Sequence, residues 1–402
     1  MARPVRIVGH GMTALNPRPV PSPSRLMQHA LRQALAAANM GIDDLDGLIA
    51  VPSLADPKFM EAHNLGTQIG LLPRRDVIVR TIDTGGAGPI SAILEAKRLI
   101  ETEGRSAVAV VAGDAVSSLS KAEFLKRADQ SCQTPDGSLP SPVIPHGYDR
   151  IAQWQSRTYG TTREQFAMCS VLMSMMASRH PSALTRTPHS LQQVLSSPEV
   201  APFTTLLECA RRADGAAAVV LASDGFVRRT RIPEEQSVVV ISGGEASGSL
   251  YPPAPNQIHE DIFSCQQAAQ IAFTKAQLGV DDIDYFGLYD CFPICLIRAI
   301  EAVGLAPMGC GGDFVESKLK EIASQPDLKR IQDVFPINTH GGLLSFGAPW
   351  EAPALFSVIE AIQQLTGRAT GRQIHNAKRA LVYGNGGIFS SSAVAILGRG
   401  RY

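Results

Sequence analysis

Much that would mark a polyanion binder, a membrane protein or a metal-held domain is missing from this chain. Lysine plus arginine and aspartate plus glutamate balance at 37 each over 402 residues. No net field gathers nucleic acid or an anionic membrane. Nowhere do roughly eighteen or more apolar residues follow one another, so no stretch is built to span a bilayer. The seven cysteines (Cys132, Cys169, Cys209, Cys265, Cys291, Cys295 and Cys310) are odd in number and lack the paired CxxC spacing of a zinc site. They read as reduced thiols in a soluble intracellular protein, most of them small buried hydrophobes. Acidic residues are absent before Asp43, while Arg3, Arg6, Arg18, Arg25 and Arg32 stand among serines and prolines, a composition found in organelle transit segments. Yet VRIVGH at 5–10 reads as a first core strand followed by a Gly11 turn, so at most a short or uncleaved signal fits. The SKL at 317–319 is internal and the tail reads GRGRY, which gives no terminal peroxisomal address. The expected location is the mitochondrial matrix, with the cytoplasm as the alternative.

What is present is a core-forming composition, 45% hydrophobic and 18% charged, enough for two or more packed units. Apolar runs alternate with helical patterns: VRIVGH, a helix near 24–39, GLIAVPS, a helix near 59–70, DVIVRTID, a helix near 89–102, then AVAVVAGD. That βαβαβαβ order implies a parallel sheet. From about 115 to 203 it gives way to proline-, serine- and glutamine-rich sequence with two helices, the pattern of an inserted lid. Strand-like sequence resumes at GAAAVVLASDG, and VVVISGGEA opens a second alternation through YFGLYDC, VFPINT, RALVYGNG and SAVAILGRG. The turns Ile82-Asp83-Thr84-Gly85-Gly86 and Ile337-Asn338-Thr339-His340-Gly341-Gly342 correspond, as do VAGD and VYGNGG. The expected domains are 1–114 plus 204–228, a lid at 115–203, and a second half at 229–402.

These duplicated halves resemble the thiolase fold, and Tyr289-Asp290-Cys291-Phe292 is similar to the HDCF fingerprint of the sterol-carrier-protein-type thiolases, with tyrosine for histidine as in trypanosomatid thiolase-like proteins. The resemblance implies an α/β protein of two βαβαβαββ halves in a five-layered αβαβα core. It also implies that the family's nucleophilic cysteine falls on Gly86, its GHP histidine on Ala348, and the cysteine of its CxG loop on Asn385. A partial GxGxxG reading of Gly86-Ala87-Gly88 fails, because Ser91 replaces the third glycine and the turn follows the third strand. Without a thiol at position 86 no acyl-enzyme forms. Without imidazole at 348 nothing there activates a thiol.

What the resemblance leaves is Cys291 as an acid/base thiol, Tyr289 as a hydrogen-bond donor, and the amides of Gly86 and Gly387 as an oxyanion hole. Taken alone, Cys291 is a buried cysteine at a helix start, Tyr289 aromatic filler at a strand end, and His340 a turn histidine. One preorganised donor is worth about 2.7–4 kcal/mol in acyl chemistry, enough for weak catalysis. Decarboxylation of malonyl-CoA needs only an enolate hole and a proton source, here Cys291. The expected ligands are malonyl-CoA, acetoacetyl-CoA and related short acyl-CoA thioesters of lipid or sterol metabolism, with no other cofactor and no metal. Asn338, His340 and Gly341 are expected at the substrate, with Met168, Leu172 and Met175 lining the pantetheine path unless they are ordinary core. Arg150, Arg157, Arg163, Arg211 and Arg212 are candidates for the CoA phosphates. A homodimer meeting at the third strands of the N-terminal halves is implied. A catalytically silent acyl-CoA-binding protein is the alternative; a third reading, a full thiolase using another cysteine, needs a thiol beside an activating histidine, a pair that none of the aligned loops offers.

Overall fold

The computed structural model describes residues 4–400 apart from 17, 136, 231 and 326–328, so Arg3 and the last two residues of the GRGRY tail lie outside it. The first half runs β1 (Val5–Met12), α1 (Pro23–Ala37), β2 (Gly47–Ala50), α2 (Glu61–Gln68), β3 (Ile78–Thr81), α3 (Gly88–Thr102) and β4 (Ala107–Ala115). The inserted segment follows with α4 (Lys121–Cys132), α5 (Val143–Tyr159), α6 (Arg163–Ala177), α7 (Leu191–Leu195) and the short ribbon β5 (Glu199–Ala201) and β6 (Thr204–Thr205). Then β7 (Asp214–Ser223) and α8 (Asp224–Thr230) lead into the second half: β8 (Val238–Ser247), α9 (Cys265–Ala276), β9 (Tyr285–Gly287), α10 (Pro293–Ala302), α11 (Gly311–Ala323), α12 (Ile331–Val334), α13 (Pro353–Leu365), β10 (Arg379–Gly386) and β11 (Ser391–Gly398).

The strands lie in the order β3-β2-β4-β7-β1-β8-β11-β10-β9. Pairs β2–β3, β2–β4 and β9–β10 are parallel, whereas β7 and β11 run antiparallel to both their neighbours. The halves therefore repeat one another about the β1–β8 join, where Arg6 faces Val239 and Ile7 faces Val238. Sequence dictates the layers. Strands such as AVAVVAGDA are buried on every residue, as a sheet covered on both faces requires. Helix α1 covers β1, β7 and β4 on one side, α9 covers β8 and β11 on the other, and α3 and α13 each touch strands of both halves, which gives five layers.

Three local expectations are corrected. Gly11 is no turn: it lies inside β1 opposite Ala218, and a Cβ there would sit 2.6 Å from Gln33 Cβ, so its smallness lets α1 close onto the strand. The strand expected at VFPINT shrinks to a single bridge, Phe286 to Ile337, because Pro336 has no N–H and Asn338 turns to a φ of +46°. The inserted segment carries four helices, α4 to α7, where two were expected, the extra two starting on the side-chain caps of Ser120 and Ser190.

Candidate active site

Two glycine turns meet at the centre of the molecule, one between β3 and α3 and one at the end of β10. Their backbones approach so closely that side chains are excluded. A Cβ on Gly85, whose φ is +59°, would lie 2.9 Å from the Gly386 Cα, and one on Gly384 would lie 2.9 Å from the Ala87 Cα. Gly86 is excluded differently. Its φ is ordinary, but a Cβ would lie 2.5 Å from the Tyr289 Cζ and 2.5 Å from the Asn385 carbonyl oxygen, and nearer still to the Tyr289 hydroxyl. The phenol thus occupies the space into which a side chain at position 86 would project. Among the described residues no protein group hydrogen-bonds this hydroxyl, and burial holds its pKa well above the usual phenol value, so it is a neutral donor.

Tyr289 is aimed by the loop from β9 to α10. Asp290 is fully buried there and accepts from the Leu343 amide at 2.7 Å, while burial pushes its carboxyl up to about 7. Asn338 is buried too, but its amide is spent on both the N–H and the carbonyl of Leu288, at 2.8 and 2.7 Å. It fastens one loop to another. Thr339 and the carboxylate of Glu360, which is paired with Arg372 at 2.7 Å, anchor the same segment from below. His340 stands edge-on to Phe346 at 5.2 Å with its Nδ1 enclosed and unpartnered, and burial lowers its pKa to about 4. Gly341 packs on Ala177, where a Cβ would fall 2.5 Å away.

Asn385 is equally committed. Its Nδ2 donates to the Tyr148 hydroxyl at 2.8 Å, the Tyr148 hydroxyl donates to the Gly387 carbonyl at 2.5 Å, and the Tyr383 hydroxyl donates to the Asn385 Oδ1 at 3.2 Å. Tyr148 reaches in from α5 and stacks on Phe292 at 4.8 Å, with Phe389 edge-on at 5.4 Å. Nothing in the sequence marked it, for it carries no motif and lies on the inserted segment. Cys291 points its sulfur to within 3.4 Å of the Cys295 sulfur, one turn along.

Ala348 is buried and hydrogen-bonds through its own backbone to Arg211, so no imidazole is available there. Three residues on, Glu351 precedes α13. The Trp350 indole N–H donates to its Oε1 at 3.2 Å, and its Oε2 is enclosed without a partner. Burial, then the charges of Asp83 and Asp114, push its pKa up to about 8. Trp350 holds a φ of +47°, a region that bulky residues occupy at a cost of about 1–3 kcal/mol. A lone acidic residue in the apolar run GAPWEAPAL was the available signal for Glu351.

A cavity of about 990 Å³ opens beside this centre, bounded by Arg150, Ser247–Ser249, Phe263 and Ile388–Phe389. Phe389, which lines it, stands edge-on to Tyr148 and so joins the cavity wall to the aromatic cluster behind it. Of the five candidate arginines Arg150 lines the cavity, its guanidinium donating to the Pro253 carbonyl at 3.2 Å. Arg163 is committed to Glu208, and Arg212 lies 4.2 Å over the Phe124 ring. Met168, Leu172 and Met175 of α6 pack into the core and do not line this cavity, since that face meets α10, α11 and the 342–346 turn. Among the described residues no cluster of histidine, cysteine, aspartate or glutamate could hold a metal, and no helix is long and apolar enough to cross a membrane.

A duplicated α/β core with its centre at two facing glycine turns defines the thiolase fold. Residues 257–399 match the thiolase C-terminal domain-like family. The chain is 34% identical over 257 residues to the acetyl-CoA acetyltransferase of Methanothermobacter thermautotrophicus, covering 64% of each chain. To the sterol carrier protein 2 of Bos taurus it is 30% identical over 257 residues, 62% of this chain but only 45% of that one. The chain therefore spans less than two thirds of these relatives' length. Among solved structures it superposes on the Ltp2-ChsH2(DUF35) aldolase with a TM-score of 0.80 at 20% identity, covering 99% and 98% of the two chains. On human mitochondrial 3-ketoacyl-CoA thiolase in complex with CoA the TM-score is 0.73 at 15% identity, covering 99% and 98%.

Proposed function

We propose that the protein binds acyl-CoA thioesters and breaks a carbon–carbon bond beside the thioester through an enolate, without itself being acylated. The observation that carries this is the Tyr289 phenol standing where a side chain at Gly86 would be. Covalent transfer needs a nucleophile against the thioester carbon, and that volume is already filled by a group that donates a hydrogen bond. Enolate chemistry needs only donors at the thioester oxygen. The amides of Gly86 and Gly387, on turns held rigidly against each other, are suited to supply them, and Tyr289 is free to hold a second oxygen.

Within that class retro-aldol cleavage of a 3-hydroxyacyl-CoA fits best. The C3 hydroxyl gives its proton to water, the C2–C3 bond breaks, its electron pair passes to C2 and the thioester oxygen, and C3 departs as a carbonyl. Two things favour this: the superposition on an aldolase, and a Tyr289 hydroxyl with no protein partner to occupy it. Malonyl-CoA decarboxylation uses the same enolate, the departing carboxylate supplying the electrons, and is the second reading. CoA would lie in the 990 Å³ cavity with a phosphate near Arg150. A role in lipid metabolism follows from that ligand class. A homodimer would close the open edge of β3, where Ile78 and Val79 are half-buried and, nearby, Phe59 is 92% exposed.

The test incubates the protein with malonyl-CoA, acetoacetyl-CoA and a set of 3-hydroxyacyl-CoAs, separates the CoA products and weighs the intact protein. Shortened acyl-CoA with unchanged protein mass is expected. An acylated protein, or failure to bind any thioester, refutes the reading; binding without product leaves the acyl-CoA-binding alternative.

A further inference from the structure

We propose that Glu351 is the group that delivers a proton to C2 of the thioester enolate, an inference that rests on the enolate reading above. Its geometry is that of a presented group. The left-handed backbone of Trp350 turns the chain out of the 338–348 loop just before α13 begins, and the indole of the same residue holds one carboxyl oxygen at 3.2 Å. The other oxygen is enclosed and has no protein partner, although buried carboxyl oxygens are ordinarily satisfied. The residue as a whole is half-buried, so it is the carboxyl end that the site encloses.

Electrostatically its carboxyl is coupled to residues of the glycine-turn centre. Asp83, three residues before Gly86, and Asp114 at the end of β4 act on its charge. Its own charge is felt by Tyr289 on the β9–α10 loop and by Cys132 at the end of α4. Burial, then the Asp83 and Asp114 carboxylates, hold its pKa up at about 8, so the carboxyl is protonated at neutral pH. The imidazole that Ala348 lacks would have stood on this same loop. Cys291, expected from the sequence to protonate the carbanion, instead has its sulfur against Cys295.

The step balances simply. The neutral carboxyl gives its proton to C2 as the enolate pair forms the new C–H bond, and the carboxylate left behind regains a proton from water. Run backwards on acetyl-CoA, the ionised carboxylate takes a proton from C2 and, in deuterium oxide, returns a deuteron. This exchange needs no knowledge of the natural acyl group.

The experiment follows deuterium at C2 of acetyl-CoA by mass spectrometry, with the affinity for acetyl-CoA measured in parallel. In the unsubstituted protein the exchange should rise about tenfold per pH unit below the carboxyl's pKa and level off near pH 8. Glu351→Gln should lower it at least about 100-fold and abolish the pH limb while the affinity holds, and Glu351→Asp should restore part of the rate with the limb. A Glu351→Gln protein that exchanges at the original rate overturns the inference and leaves the enolate reading standing. If the unsubstituted protein neither binds acetyl-CoA nor exchanges, the enolate reading fails and this inference with it.

Discussion

Placing cysteine at position 86 tests the central packing claim without reference to any substrate. Its Cβ would lie 2.5 Å from both the Tyr289 Cζ and the Asn385 carbonyl oxygen, well inside van der Waals contact. The carbonyl belongs to β10 and cannot retreat without breaking its ladder to β11. The tyrosine is the partner able to move, and it is enclosed by its own loop. Overpacking of this kind costs about 1–3 kcal/mol. Tyr289→Ala removes a buried aromatic ring and costs about 3–5 kcal/mol by analogy with other buried aromatics. If the ring and the new side chain compete for one space, the double variant should be less destabilised than the sum of the two, with a coupling of about 1–3 kcal/mol. Urea titration of the four proteins measures this. Additivity within about 0.5 kcal/mol, or an unaltered stability for Gly86→Cys alone, would show that the two residues do not share a volume.

Tyr148→Phe removes one bond each from the Gly387 carbonyl and the Asn385 amide, which keep a bond to each other at 3.4 Å, and should cost about 0.5–1.5 kcal/mol in the same titration. Breaking the buried Arg372–Glu360 pair with Arg372→Met strands a carboxylate below Thr339 and should cost about 3–5 kcal/mol. Asp290 should make stability fall as pH rises. Its folded-state pKa of about 7 exceeds the usual carboxyl value of 3.8, so the native state holds a proton that the unfolded chain releases. The contribution is complete below about pH 4 and lost by about pH 7; melting curves of Asp290→Asn across that window should show a shallower slope, and an unchanged slope would refute the assignment.

The alternation of strands and helices was legible because a covered sheet demands uninterrupted apolar runs, and AVAVVAGDA and GAAAVVLAS became the buried strands β4 and β7. So were the two glycine turns, since a turn pressed against another backbone admits nothing larger. Reach across the chain was not legible. Tyr148 enters from the inserted segment, 237 positions from the Asn385 amide it meets, and no local pattern reports that distance. Asn338 and His340 carried the right residue types for binding, yet one spends its amide on Leu288 and the other rests on Phe346. Met168 and Leu172 had the spacing of a pocket wall, but an apolar helical stripe cannot say whether it faces a ligand or another helix. Glu351 was visible as an isolated carboxylate and became meaningful only through the neighbours that enclose it.

The tight contact between the Gly85 and Gly386 backbones divides the molecule's chemistry into a fixed part and an exchangeable part. Main chain held by strands on both sides tolerates no variation, whereas positions 289, 348 and 351 hang from loops that can be rewritten singly without shifting a strand. Descendants of such a scaffold can trade one reaction for another by changing a few pendant groups, so activity is a poorer guide to ancestry here than the spacing of the glycines.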